Sequence, residues 1–276
     1  MIARGREFLV RKGREGARLE AELLCAHALG MTRLELFLSI ERPIEADELS
    51  LARELLVRCG KGEPVAYITG KREFYGRDFQ VAPGVLVPRS ETELLVDLAR
   101  ERLQGVEAPT IAEFGTGSGC IAVTLALEVP EATVRASDVS TSALAVASNN
   151  ALVLGAEVTW LEGDGLDVLA AEGPADLFCS NPPYIDPARP DGLDPAVRAF
   201  EPAEALFAPE GRPEHWVLEM LEARAKLVKP EGALLVELGF DQAPRVRAHL
   251  DELGIEGRIH ADLEGIERVL EVRGSA

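Results

Sequence analysis

From residue 91 to the C-terminus, short apolar runs of strand length alternate with longer stretches of helical periodicity, and this alternation constrains the fold more than any other feature of the chain. The spacing predicts a helix over Glu91–Gln104, a strand over Thr110–Phe114, a helix reaching Glu128, a strand over Thr133–Ser137 and a helix over Ser140–Leu154. Strands at Val158–Leu161 and Asp176–Ser180 follow, then a helix over Pro213–Val228, a strand over Gly232–Glu237 and a helix over Ala243–Leu253. Such alternation implies an α/β fold with a mostly parallel sheet covered on both faces. The closing strands, Ile255–Asp262 and Glu267–Val272, are joined by only a short link, so they are expected to pair antiparallel.

The first seventy residues read differently. Leu19, Leu23, Leu24 and His27 recur at helical spacing, as do Leu34, Phe37 and Leu38, and then Leu49, Ala52, Leu55 and Leu56. Asp47 is the expected cap of the last of these helices, and Cys59-Gly60 its end. Between Pro64 and Pro88, Gly, Pro and aromatic residues cluster around β-prone pieces at Arg72–Phe74 and Phe79–Val81, the pattern of a hairpin connector. The expected organisation is a small helical bundle over 1–70, a hairpin linker over 71–88 and an α/β domain over 89–276.

Glu113-Phe114-Gly115-Thr116-Gly117-Ser118-Gly119 falls between the first strand of the sheet and its helix, where glycines let backbone approach a ligand closely. Asp138 ends the second strand, where a carboxylate can hold the ribose hydroxyls of an adenosine. A dinucleotide fold places the same two features alike, and a tight turn without ligand is the plainer reading of the glycines alone. The spacing is G-x-G-x-G, and the acid ahead of it suits a ligand carrying ammonium and sulfonium charge while repelling a pyrophosphate. Asp164, followed by Gly165, comes after the third strand and could accept from an adenine amine or simply serve a turn.

Asn181-Pro182-Pro183-Tyr184 follows the fourth strand and is the sharpest signal. Proline removes the backbone N–H donors, so the Pro182 carbonyl and the Asn181 side-chain oxygen can both aim at one NH2 group. The cradle fits a planar –NH2, with Tyr184 as a wall; the bland alternative is an ordinary Asn-Pro turn.

Composition narrows the classes. With 29 basic and 47 acidic residues the formal charge is −18, which opposes affinity built on neutralising a nucleic-acid backbone. Four scattered cysteines without a C-x-x-C pair point to buried free thiols in a reducing compartment. The histidines are isolated, so no metal site is expected. No apolar run approaches membrane-span length and the N-terminus has no secretory h-region, so a cytoplasmic location is expected.

On Glu113–Gly119, Asp138 and Asn181–Tyr184 the chain resembles the class I S-adenosylmethionine-dependent methyltransferases that act on a planar nitrogen. Glu63–Gly70, Val87–Glu93, Arg198–Pro202 with Ala205-Leu206, and Glu267-Arg268-Val269 narrow the resemblance to the HemK/PrmC family, the protein-(glutamine-N5) methyltransferases of peptide-chain release factors. The resemblance implies a Rossmann-like seven-stranded sheet behind an N-terminal helical substrate-recognition domain. It implies S-adenosyl-L-methionine as methyl donor, S-adenosyl-L-homocysteine as product, and the glutamine of a Gly-Gly-Gln loop in class 1 release factors as substrate. Asn181–Tyr184 would be catalytic, Glu113–Gly119, Asp138, Asp164, Gly165 and Asn181 would hold the cofactor, and Arg89 and Glu91 would add substrate contacts. Arg89 with Glu91, and Arg198 with Glu201, read more blandly as surface ion pairs. Two departures are visible: the family more often has Asp at position 113, and some members carry an aromatic residue at 165. An adenine-N6 methyltransferase acting on DNA or RNA shares the Asn-Pro-Pro-Tyr cradle and is the alternative; the acidic charge and the lack of a basic recognition domain count against it.

Overall fold

A computed structural model describes residues 1–39, 41–190 and 192–274. The chain forms two compact units, Met1–Lys71 with Leu193–Phe200, and Arg72–Gly192 with Glu201–Ala276.

The first unit is helical, with helices Ile2–Arg11, Ala17–Ala28, Arg33–Leu38, Ala46–Gly60, Val65–Thr69 and Pro195–Phe200. Leu9, Leu24, Leu55 and Cys59 anchor its core. Two local expectations change. A Thr32–Glu35 capping box starts the third helix and sets Leu36 inward, so Leu34 and Leu38 are exposed, at 69% and 77%. Glu45, not Asp47, caps the helix Ala46–Gly60, its backbone N–H donating to Glu48 at 2.9 Å. Asp47 lies in the first turn, where its charge meets the positive end of the helix dipole.

In chain order the strands are β1 Lys71–Phe74, β2 Arg77–Gln80, β3 Thr110–Phe114, β4 Thr133–Asp138, β5 Thr159–Glu162, β6 Ala175–Ser180, β7 Val228–Glu237, β8 Gly257–Ala261 and β9 Glu267–Arg273. The second unit holds a seven-stranded sheet in the order β5-β4-β3-β6-β7-β9-β8. It is parallel through β7, and β9 runs antiparallel to both β7 and β8. The period-2 alternation divides the central strands between two cores. Ile111, Leu177, Cys179, Ala233 and Leu235 face one layer of helices, and Ala112, Phe178, Leu234 and Val236 face the other. The hairpin β1-β2 packs its buried Phe74 and Phe79 into the first of these cores, edge to face at 6.0 Å.

The topology assembles the site. From β3 the chain winds one way through β4 and β5, then returns to β6 on the other side of β3. Such a reversal opens a crevice at the carboxyl ends of the strands. The register aligns those ends, pairing Phe114 with both Ser137 and Ser180, and Ser180 with Val236. The residues after β3, β4, β6 and β7 therefore emerge along one edge.

Candidate active site

A cavity of about 370 Å³ occupies that edge, within the size range of small-molecule sites. Phe114, Gly115 and Gly117 form one side, Asp138 and Val139 another, and Gly163–Gly165 a rim; Asn181 and Pro183 close it toward β6. Gly84–Leu86 and the stretch from Pro202 to Pro209 also line it. Trp216, whose ring lies 4.8 Å from that of Phe114, adds an aromatic wall. Three carboxylates, Asp138, Asp164 and Glu204, line the cavity, and none of its described lining residues is basic.

The glycine loop is held from several sides. The Gly115 and Thr116 N–H groups both donate to the Ser137 carbonyl, at 2.9 and 3.0 Å. Gly119 needs to be glycine, because φ is +79° and a Cβ would come within 2.9 Å of Ala147. Buried Asn150 donates to the Ser118 carbonyl at 2.8 Å and to the Gln80 carbonyl at 2.9 Å, coupling the loop to β2.

Asp138 accepts from the Gly117 N–H at 2.8 Å and the Ser140 N–H at 2.9 Å, which fixes its carboxylate on the cavity wall. Burial raises its pKa, and these backbone donors pull the other way. Glu113 lies behind the loop and off the cavity wall, 1% exposed. It accepts from the Thr116 hydroxyl at 2.6 Å and the Ala122 N–H at 3.1 Å, while Oε1 has no partner among the described residues. Burial pushes its pKa up to about 8. Asp164 is exposed at the rim beside Gly165.

At the other end, Asn181 Nδ2 donates to Thr92 Oγ1 at 3.2 Å, leaving Oδ1 as the end of the amide able to accept. Pro182 is buried. Tyr184 packs over Gly239, where a Cβ would come within 2.9 Å of its ring. Burial, with the nearby Glu237, pushes its phenol up to about 12. Arg89 does not pair with Glu91: it bonds Glu201 at 2.7 Å, and Glu201 also accepts from the Val87 N–H at 3.2 Å. Glu91 is exposed and accepts from Ser90.

The structure thus brings Phe114, Gly115, Gly117, Asp138, Asp164, Gly165, Asn181 and Pro183 to one cavity. Glu113, Thr116, Ser118, Gly119, Pro182 and Tyr184 stand behind or beside it, and Arg89 and Glu91 off its wall. Sequence reasoning singles out neither Asn150 nor Trp216, gives no role to Thr92 or Glu237, and reads Glu201 only as a surface partner of Arg198, where the structure pairs it with Arg89. Thr92 and Glu201 lie in the Val87–Glu93 and Arg198–Pro202 stretches that carry the resemblance, and Glu237 ends the apolar run Ala233–Val236 at a strand's carboxyl end.

Among the described residues no cluster of His, Cys, Asp and Glu is arranged to hold a metal ion. No helix among them is long and apolar enough to cross a membrane.

Residues 1–70 match the PrmC N-terminal domain family, and residues 90–235 match the Methyltransferase small domain family. The chain is 40% identical to the release factor glutamine methyltransferase of Geobacter sulfurreducens, over 96% of this chain and 92% of that protein. It is 43% identical to the protein of that name from Bordetella pertussis, over 91% and 93%. Among solved structures it resembles a Pyrococcus furiosus methyltransferase (TM-score 0.52, 18% identity, 74% of this chain and 91% of that one). It also resembles a human methyltransferase 10 domain containing protein (TM-score 0.51, 15% identity, 73% and 90%), a likeness of fold. The fold is that of the methyltransferases, and the chain belongs to the release factor glutamine methyltransferase family.

Proposed function

We propose that this protein transfers a methyl group from S-adenosyl-L-methionine to the side-chain amide nitrogen of the glutamine in the Gly-Gly-Gln loop of class 1 release factors. The observation that carries the reading is a cavity lined by carboxylates and by no described basic side chain, with the Asn181 acceptor on its wall. Such a lining suits a cationic sulfonium ligand and opposes a pyrophosphate.

Asp138 would hold the ribose, the Gly115–Gly119 loop the amino-acid end, and Asp164 the adenine rim. The bound cofactor supplies an electrophilic methyl group. The chain's own task is the nucleophile. An amide nitrogen is a poor one because its lone pair is delocalised into the carbonyl. Asn181 Oδ1 and the Pro182 carbonyl accept from the two N–H bonds and orient the nitrogen. They also stabilise positive charge growing on it, and being prearranged they need no reorganisation. The N-methylated cation is acidic enough to lose its proton to water without a strong base. The helical unit takes the protein substrate in this reading, since the cofactor residues all belong to the second unit.

The test is methyl transfer to purified release factor, with mass mapping of the modified residue and free DNA as a parallel substrate. Methyl on the glutamine amide is expected; label on DNA adenine, or none on the release factor, would overturn the reading. Asp138→Ala is expected to weaken S-adenosylmethionine binding by about 1.5–3 kcal/mol, the range for hydrogen bonds to a charged group. Calorimetry giving unchanged affinity would remove Asp138 from the cofactor site.

A further inference from the structure

Outside the cavity, the carboxyl edge of the sheet carries two large apolar side chains in water. Phe240, 68% exposed, is the only exposed residue among the described Phe, Tyr and Trp of the second unit. Leu263 is fully exposed. Neither lines the cavity. One exposed apolar residue is ordinary, but two held by fixed turns at the edge that carries the site need a reason.

Phe240 sits in a closed turn. Buried Gln242 accepts from the Gly239 N–H at 2.8 Å, its own N–H donates to the Gly239 carbonyl at 3.1 Å, and its Nε2 donates to the Pro213 carbonyl at 2.8 Å. The ring is therefore presented to solvent by a braced backbone. Leu263 comes to the same edge through topology. β9 runs antiparallel to β7 with Val269 opposite Glu237, so the turn between β8 and β9 lies where β7 finishes. Asp262 ties that turn, accepting from the Glu264 and Ile266 N–H groups at 2.9 Å each.

The apolar edge is continuous with the cradle. The Tyr184 ring packs on Gly239, one residue before Phe240, so closely that a Cβ there would come within 2.9 Å of it. A glutamine carried on a protein loop cannot reach Asn181 alone: it brings its flanking backbone past Tyr184. The two glycines of a Gly-Gly-Gln loop have no side chains, so an aromatic ring can lie directly against their peptide groups. We propose that Phe240, with Leu263 at the same edge, is the docking surface for the substrate loop that carries the target glutamine. The inference rests on the proposed glutamine methylation. Phe240 touches the loop and not the reacting atoms, so it acts on capture of the substrate and leaves cofactor binding alone.

The experiment uses the full chain as wild type, Phe240→Ala, Phe240→Tyr, Leu263→Ala and Leu152→Ala. Leu152, 80% exposed near the end of the helix Thr141–Leu154, is the control for a lost apolar surface elsewhere. Steady-state methylation of release factor, cofactor affinity and melting temperature are measured for each. Phe240→Ala is expected to lower kcat/KM about 10- to 30-fold, as when a central aromatic contact of an interface is removed, with the loss in KM and kcat little changed. Leu263→Ala should do the same more weakly, Phe240→Tyr should restore most of the loss, and Leu152→Ala should match wild type. Because Phe240 is exposed, melting temperature and cofactor affinity should hold throughout. Affinity for release factor in the presence of S-adenosyl-L-homocysteine, read by interferometry, should fall in Phe240→Ala by the same factor. That measurement needs no turnover, so unlabelled glutamine would defeat the methylation reading, while equal binding by wild type and Phe240→Ala would defeat this one. A Phe240→Ala kcat/KM within twofold of wild type, a loss confined to kcat, an equal loss in Leu152→Ala, or a wild-type dimer that Phe240→Ala splits would also overturn the proposal.

Discussion

Asn181→Ala is expected to lower the single-turnover rate of glutamine methylation by about a hundred- to a thousand-fold, the roughly 2.7–4 kcal/mol typical of removing one prearranged electrostatic partner. Cofactor binding should change far less, because the proposed ribose and amino-acid contacts are those of Asp138 and the glycine loop. The asymmetry follows from when the hydrogen bond matters. In the ground state the amide N–H can be served by water. In the transition state the nitrogen carries growing positive charge, and an acceptor held by Thr92 is already in place. Asn181→Asp keeps an oxygen but adds a charge to a cavity wall that already carries Asp138, Asp164 and Glu204. That variant should therefore lose activity too. A release factor with Glu in place of the target Gln should be inert, since its carboxylate has no N–H to give and is repelled by the two acceptors. Near-wild-type turnover by Asn181→Ala would mean that the Pro182 carbonyl and Tyr184 orient the amide alone, and the central step of the mechanism would fail.

The sheet was legible because its signal is local. Ile111, Leu177 and Leu235 alternate with Ala112, Phe178 and Leu234 at period two, and the two sets fill opposite faces. The glycine loop, Asp138 and Asn181 were legible for a related reason: each ends or directly follows a strand, so parallel topology alone delivers it to one edge. What stayed hidden depends on contacts between distant segments. Thr92 meets Asn181 across 89 positions, Arg89 meets Glu201 across 112, and Asn150 reaches Gln80 across 70. No periodicity encodes such pairs. The expected Arg89–Glu91 pair was the local guess, and the structure replaces it with one that also receives the Val87 N–H. The β-prone pieces at Arg72–Phe74 and Phe79–Val81 overlap β1 and β2, and their packing, with Phe74 and Phe79 inside a core of the sheet, is another contact between distant segments that spacing does not encode.

Glu113→Gln is expected to become more stable relative to wild type as pH rises, by up to about 1.4 kcal/mol per pH unit between roughly pH 5 and 8. The sign follows from the direction of the shift. Burial holds the folded-state pKa near 8, above an ordinary value of 4.5, so in this window the native state keeps a proton that the unfolded chain has released. The stabilisation tied to that proton is complete below the unfolded pKa and is lost as pH climbs through the folded one. Gln mimics the protonated acid and can still accept from the Thr116 hydroxyl and the Ala122 N–H, so it carries no such loss. Urea titrations of both proteins at pH 5.5 and pH 8 measure the difference, and a gap that does not change with pH would show that Glu113 is ionised in the fold. Calorimetry with the cofactor then separates two roles for the same residue. A carboxylate pairing directly with the ligand's ammonium group would make Glu113→Gln bind weakly. A carboxyl that props the loop from behind, 1% exposed and off the cavity wall, would leave affinity nearly intact while altering stability. The geometry favours the second outcome, since Glu113 stands off the cavity wall while Asp138, Asp164 and Glu204 are the carboxylates that line it.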